Sequence, residues 1–379
     1  MLPKVDLSID NCFASKRWTD PDEWLRIIAD SGIQWVEASA DTECDPLYSD
    51  SEYLSEWISN VRKASQKYGV NVANLYSGHG TYATLGLSSN NRQNAIRMRD
   101  QWLGKMLEYA ADLGCGLGFF CHAFKNSVLQ SPELYHQAEN ELYDDLAILA
   151  EKAYQLGVDS VSLEQMYTPH QPPWTIASAK KTLKEVKKRS GRNFYLTIDT
   201  GHQSGQKKFL RPTHEMIERQ IYLWKKMNRL ENVWMGPEKA YEMIRMGASV
   251  DEINSFLSDF SYLFSNPEDS DTYHWLKELG AYSPIVHLQQ TDGKQSAHNP
   301  FMEPYNSNGI IHPEPVISAL HSSYEKEIDN ELPDYCGKHY LTLEIFTSTA
   351  CLPKDAIERI SASADYWKKH PLLRNEGLV

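Results

Sequence analysis

Glu164, Asp199 and Glu344 share a context, each directly following a short apolar run: Ser160–Leu163, Phe194–Ile198 and Tyr340–Leu343. Gln289 occupies the same place behind Ile285–Leu288. A carboxylate at the end of a buried strand is costly unless it is paired or bound to a cation. One such residue reads as a salt-bridged strand end. Three on neighbouring strands repel one another and call for a cation to offset the charge. Three carboxylates and an amide oxygen form an all-oxygen shell. That shell suits Mn²⁺ first, with Mg²⁺ or Co²⁺ as alternatives, and Zn²⁺ less. His287, two residues before Gln289 and on the same face, is a substrate-contact candidate. Were it the ligand instead of Gln289, the preference for hard cations would lose its basis.

Two open positions in such a shell would chelate a carbonyl oxygen and its neighbouring hydroxyl, acidifying the C–H between them and stabilising an enediolate. Glu164 and Glu344 come from strands three apart in a ring of eight, so they would address a substrate from different sides. One carboxylate can remove a proton and the other return it, which is what inversion next to a ketone requires. A single active base would give aldose–ketose isomerisation instead.

The elements that must position these groups follow an alternation. Apolar runs recur at Val5–Ile9, Gln34–Ala38, Val72–Tyr76, Leu117–Cys121, Ser160–Leu163, Phe194–Ile198, Ile285–Leu288 and Tyr340–Leu343. Between them lie stretches of helical period, among them Asn91–Leu113, Pro132–Leu156, Thr175–Arg189, Glu314–Tyr324 and Lys354–Lys368. Asp20 and Pro21 open one such stretch and Gly32 closes it. Eight strands alternating with helices predict an α/β fold, a closed (β/α)8 TIM barrel whose chemistry sits where strands end. No GxGxxG or GxxxxGK[ST] run follows the first strand, which counts against an open nucleotide-binding sheet. The rhythm is broken only between strands six and seven. There residues 204–282 carry extra helical segments at His214–Arg229, Pro237–Met246, Val250–Phe264 and Asp271–Leu279. They are read as an insertion within one domain spanning 1–379, suited to a lid or a subunit contact.

Composition narrows the partners. The chain has 379 residues, 23% charged and 41% hydrophobic, enough for one large core. A net charge of −13 argues against nucleic-acid binding, which needs a basic face. No stretch reaches the roughly 18 apolar residues of a membrane span. The polar start, Met1–Phe13, reads as a strand rather than a leader, so a cytoplasmic location is expected. Six scattered cysteines (12, 44, 115, 121, 336 and 351) read as reduced thiols.

Glu164, the run Asp199-Thr200-Gly201-His202, a ligand ending strand seven and Glu344 resemble the metal site of the xylose-isomerase-like TIM-barrel superfamily. Ketose 3-epimerases, inosose and hydroxypyruvate isomerases, dehydroshikimate dehydratases and endonuclease IV belong to it. The resemblance runs through the whole chain and includes Asn308-Gly309-Ile310-Ile311. It implies a divalent metal held by Glu164, Asp199, Gln289 and Glu344, catalysis by Glu164 and Glu344, and a homo-oligomer. His202 is similar to the family's substrate-hydroxyl histidine, and His170 to a second substrate contact. The epimerases carry a second histidine of a His-x-His run where this chain has Gln289, whereas dehydratase members use glutamine there. The segment Asp10–Trp18 resembles a subgroup proposed to act on tetrulose phosphates, with Lys16 and Arg17 as phosphate ligands; Lys207, Lys208 and Lys294 are further cations. Tyr76, His79 and His122 on strands three and four add substrate contacts. The implied activity is a sugar or sugar-phosphate isomerase/epimerase. A lyase dehydrating a β-hydroxy carbonyl compound and a non-catalytic sugar-binding barrel are the alternatives.

Overall fold

The structure, a computed structural model, describes residues 3–15, 17–40, 44–78, 86–89 and 91–373. Eight parallel strands close into a barrel in chain order: β1 (Lys4–Asp10), β2 (Trp35–Ser39), β3 (Asn71–Tyr76), β4 (Gly116–Phe119), β5 (Val161–Glu164), β6 (Tyr195–Asp199), β7 (Ile285–Leu288) and β8 (Lys338–Leu343). The ring shuts between β1 and β8 over a ladder from Lys4↔Lys338 to Ile9↔Leu343. Strand β4 is shorter than its apolar run suggests, because Phe120 and Cys121 continue into a loop while remaining buried.

Helix boundaries follow local chemistry. Pro21–Asp30 starts where the Asp20 side chain accepts the Asp22 N–H. Ile176–Ser190 starts with a capping box between Thr175 and Ser178. The stretch expected as one helix from Asn91 is interrupted by a π-helical segment, Met98–Leu103, before Gly104–Leu113. Between β6 and β7 run His214–Met227, Glu238–Met246, Val250–Ser258 and Thr272–Leu279. The last of these packs beside Ile176–Ser190 and Pro313–Ser323, completing the ring around the barrel. It is also tied to the barrel mouth, since Thr272 Oγ1 lies 2.9 Å from both the Thr200 carbonyl and Gln203 Oε1. No helix among the described residues is long and apolar enough to cross a membrane.

Candidate metal and proton-transfer site

Strand register decides which residues meet. Glu164 stands opposite Thr197, Asp199 opposite His287, and His287 opposite Thr342. Opposed residues share a face and every second residue returns to it. Glu164, Asp199, His287, Gln289 and Glu344 are therefore all sent into the barrel at its C-terminal end. Ligand-type atoms of Glu164, Asp199, His287 and Glu344 lie within 4.8 Å of one another, and all four residues are buried. His287 Nδ1 sits between the two glutamates, 3.1 Å from Glu164 Oε1 and 3.4 Å from Glu344 Oε2. Among the described residues, no lysine or arginine forms an ion pair with these carboxylates.

Among the described residues, the imidazoles of His287, His298 and His202 face this negative charge. Burial works against a charged His287, but Glu344, Glu37 and Glu164 outweigh it and hold its pKa well above the ordinary value. His298 is raised in the same way, against burial, chiefly by Glu344. Burial raises the pKa of Asp199, with His202 and His298 opposing. Burial also penalises Glu164, yet the charge and hydrogen bond of His287 prevail and lower its pKa.

Gln289 reaches the site in the opposite sense from that expected. Its amide oxygen accepts the backbone N–H groups of Ala297 and His298 at 2.8 and 2.6 Å. Its amide nitrogen donates to Asp199 Oδ1 and Oδ2 at 2.8 and 3.0 Å. Two backbone donors fix which end is oxygen, so in this arrangement Gln289 orients Asp199 and turns no lone pair toward the carboxylates. Gly201 makes room for it, because a Cβ there would collide with the Gln289 amide.

The other expected residues divide. His202 Nδ1 is 2.8 Å from the Gln165 carbonyl, leaving Nε2 on the site side, 3.9 Å from Asp199 Oδ1. Tyr76 is in the site: its hydroxyl donates to Glu164 Oε2, and its ring meets His287 edge-on at 5.0 Å. Burial and the neighbouring glutamates raise the Tyr76 pKa well above normal, so it remains a donor. Tyr76→Phe should cost about 1.5–3 kcal/mol, the range for hydrogen bonds to charged groups. The urea midpoint reads this directly, and an unchanged midpoint would show that the hydroxyl contributes nothing.

His170 Nδ1 is engaged 2.7 Å from the Phe124 carbonyl. His122 is half-buried, with its pKa lowered by that burial. Arg17 is committed to the loop after β8, bonding Thr347 Oγ1 at 3.2 Å and the carbonyls of Ser348 and Cys351 at 2.5 and 2.8 Å. Lys16 and His79 lie outside the described residues.

Three site residues escaped the sequence reading. His298 lies in the loop after β7 with a positive φ of 45°, stacked on Phe346 at 3.9 Å, its Nδ1 3.3 Å from Glu344 Oε2. Asp10 and Glu37 come from β1 and β2, and with His287 they place three ligand-type atoms within 4.8 Å. A signal for Asp10 was present: β1 ends in Ser8-Ile9-Asp10 much as β6 ends in Thr197-Ile198-Asp199.

The donor set suits a divalent cation. Buried carboxylates from three strands converge with an imidazole, and a cation bound there would displace the protons that the facing histidines carry. Glu164, Asp199 and Glu344 could hold such an ion, with His287 Nδ1 as the nearest ring nitrogen.

Comparison with known proteins follows the same line. A 107-residue stretch is 30% identical to D-erythrulose 1-phosphate 3-epimerase of Brucella abortus (strain 2308), covering 28% of this chain and 31% of that relative's length. The fold resembles a Rhodospirillum rubrum protein provisionally described as a xylose isomerase: TM-score 0.70, 18% identity, 96% of this chain and 99% of that one. It also resembles D-allulose 3-epimerase from Methylomonas sp., at TM-score 0.57 and 15% identity, covering 97% of each chain. The model of the xylose isomerase-like TIM barrel family matches residues 25–369, and the chain belongs to that family.

Proposed function

We propose that this protein is a divalent-metal-dependent sugar or sugar-phosphate isomerase/epimerase, with 3-epimerisation of a short ketose phosphate as the favoured step. The observation that carries the reading is the convergence of Glu164 and Glu344 on one buried site with Asp199 and His287. A sugar-binding barrel would have no use for two buried bases facing each other across an imidazole. The short stretch of likeness to a tetrulose-phosphate epimerase supports the substrate class.

In this reading Glu164, Asp199, Glu344 and His287 Nδ1 hold the cation, and the Gln289 amide fixes Asp199. When bound, a divalent cation supplies Lewis-acid polarisation of the substrate carbonyl and neutralises developing negative charge. One glutamate takes the C3 proton, the electron pair delocalises toward the C2 carbonyl as an enediolate, and the other glutamate returns a proton to the opposite face. Tyr76 steadies Glu164, and His202 Nε2 is placed to bond a substrate hydroxyl. Phe346 and Tyr167 flank the histidines, Phe346 stacking on His298 at 3.9 Å and Tyr167 meeting the His202 ring at 4.9 Å. Arg17, bound to backbone carbonyls, shapes the β8 loop in this scheme and leaves phosphate binding to other cations.

The test is solvent deuterium exchange with Mn²⁺ and a panel of tetrulose and pentulose phosphates, followed by NMR. Label at C3 together with the second epimer supports the proposal. Loss of water from the substrate would identify the lyase, and binding without exchange would identify a binding barrel.

A further inference from the structure

Strands β1 to β4 supply none of the carboxylates assigned to the cation, yet their inward residues at one level form a continuous polar row. Asp10 stands opposite Glu37, Glu37 opposite Asn74, and Asn74 opposite Gly116. All are buried. Both Glu37 oxygens are engaged: Oε2 accepts from Asn74 Nδ2 at 2.6 Å, and Oε1 lies 2.6 Å from His287 Nε2. Space for Asn74 is provided by β4, where a Cβ at Gly116 or Gly118 would come within 2.7 or 2.9 Å of its amide. Three strands thus cooperate to place one carboxylate against one ring nitrogen on the far side of the barrel.

An ionised carboxylate only accepts hydrogen bonds, so the ring hydrogen on that side must sit on Nε2. That commitment directs Nδ1 at Glu164 and Glu344, at 3.1 and 3.4 Å. We propose that Glu37 is a positioning residue: it fixes the tautomer and ring orientation of His287 so that Nδ1 serves as the nitrogen ligand of the divalent cation. A carboxylate behind a metal-bound histidine also raises the basicity of the ring. The proposal rests on the metal-dependent reading given above. It makes β2 and β3 part of the metal site without touching the metal, and it predicts a mixed nitrogen–oxygen shell that accepts Co²⁺ and Mn²⁺ more readily than Mg²⁺.

A merely structural Glu37–His287 ion pair would change stability without changing metal affinity selectively. Mn²⁺ binding, followed by the electron paramagnetic resonance of free Mn²⁺, separates the two in the full chain. Glu37→Gln should weaken Mn²⁺ about 10–100-fold, the usual cost of removing such a partner. It should also shift the visible spectrum of the Co²⁺-loaded protein. In a His287→Gln background the same change should produce no further loss of affinity, because Glu37 then has nothing to orient. A Glu37→Gln protein that is folded by circular dichroism and binds Mn²⁺ within twofold of the parent would overturn the proposal. So would equal losses in both backgrounds. Should Glu37→Gln fail to fold, Asn74→Ser, which removes the other anchor of Glu37, is expected to weaken Mn²⁺ in the same direction; unchanged affinity there would be equally fatal. A parent protein that binds no Mn²⁺ at all would instead bring down the metal-dependent reading itself.

Discussion

The Glu344→Gln enzyme is expected to lose epimerisation by about 10²–10⁴-fold, the range for removing a general acid–base group, while keeping proton exchange with one of the two epimers. Glutamine matches the shape of the side chain but cannot take a proton. With Glu344 altered, Glu164 can still remove and replace the proton on its own face of the substrate. One epimer therefore exchanges with solvent deuterium and never inverts, and the other does neither. Glu164→Gln should show the mirror pattern, exchange surviving only with the opposite epimer. Both glutamates are also assigned to the cation, so metal content must be measured alongside, with Mn²⁺ raised until each variant is loaded. If one loaded variant loses exchange with both epimers while the other keeps both, a single base serves both faces and the two-base scheme is wrong. If either variant inverts its substrate at the parental rate, that glutamate is no base at all.

What makes this pair legible in sequence is its position. Glu164 and Glu344 each follow an apolar run whose length fits a barrel strand, and the strand count, three apart in a ring of eight, then has the two address the site from different sides. The barrel itself was readable for the same reason, because eight apolar runs alternate with capped helical stretches. Asp199 follows an apolar run of the same kind, Phe194–Ile198.

Glu37 was not. It lies inside the run Trp35–Ser39 rather than behind it, and its partner His287 is 250 residues away in sequence. Only the register of closed strands carries Glu37 round to that histidine. His298 depends on a loop conformation with positive φ, which residue type alone does not announce for histidine. Gln289 shows a third kind of limit. Its residue type and height were read from the strand end, but the direction of its amide is set by two N–H groups in a loop that no periodicity describes. Arg17 was legible as a cation at the barrel mouth. That its donors would be spent on the carbonyls after β8 was decided by the closure of β1 on β8.

The same charges set the second large effect, the stabilisation of the fold by metal and its dependence on pH. In the ion-free protein, His287 and His298 have pKa values raised by the carboxylates they face. A raised histidine pKa contributes stability that is complete below the unfolded value near 6.5 and is lost as pH rises through the folded value. Asp199, raised by burial, has the same sign, but its loss of stability begins as pH rises through its ordinary value near 3.8, below the interval set by the histidines. The ion-free fold should therefore weaken as pH rises from 6 to 8. Metal binding must displace the proton on any ring nitrogen that becomes a ligand, so its affinity rises over the same interval. For one displaced proton the gain is about tenfold in affinity per pH unit, or ~1.4 kcal/mol, below the pKa of the displaced group. At 100 times Kd a bound ion stabilises the fold by ~2.7 kcal/mol. The expected result is a difference between unfolding midpoints at fixed free Mn²⁺ and in chelator that widens steadily from pH 6 through 7 to 8. A difference that stays constant would mean that no histidine proton is exchanged for metal, placing the cation in an all-oxygen shell; one that narrows would mean that metal binding takes up protons rather than releasing them, the opposite of displacement.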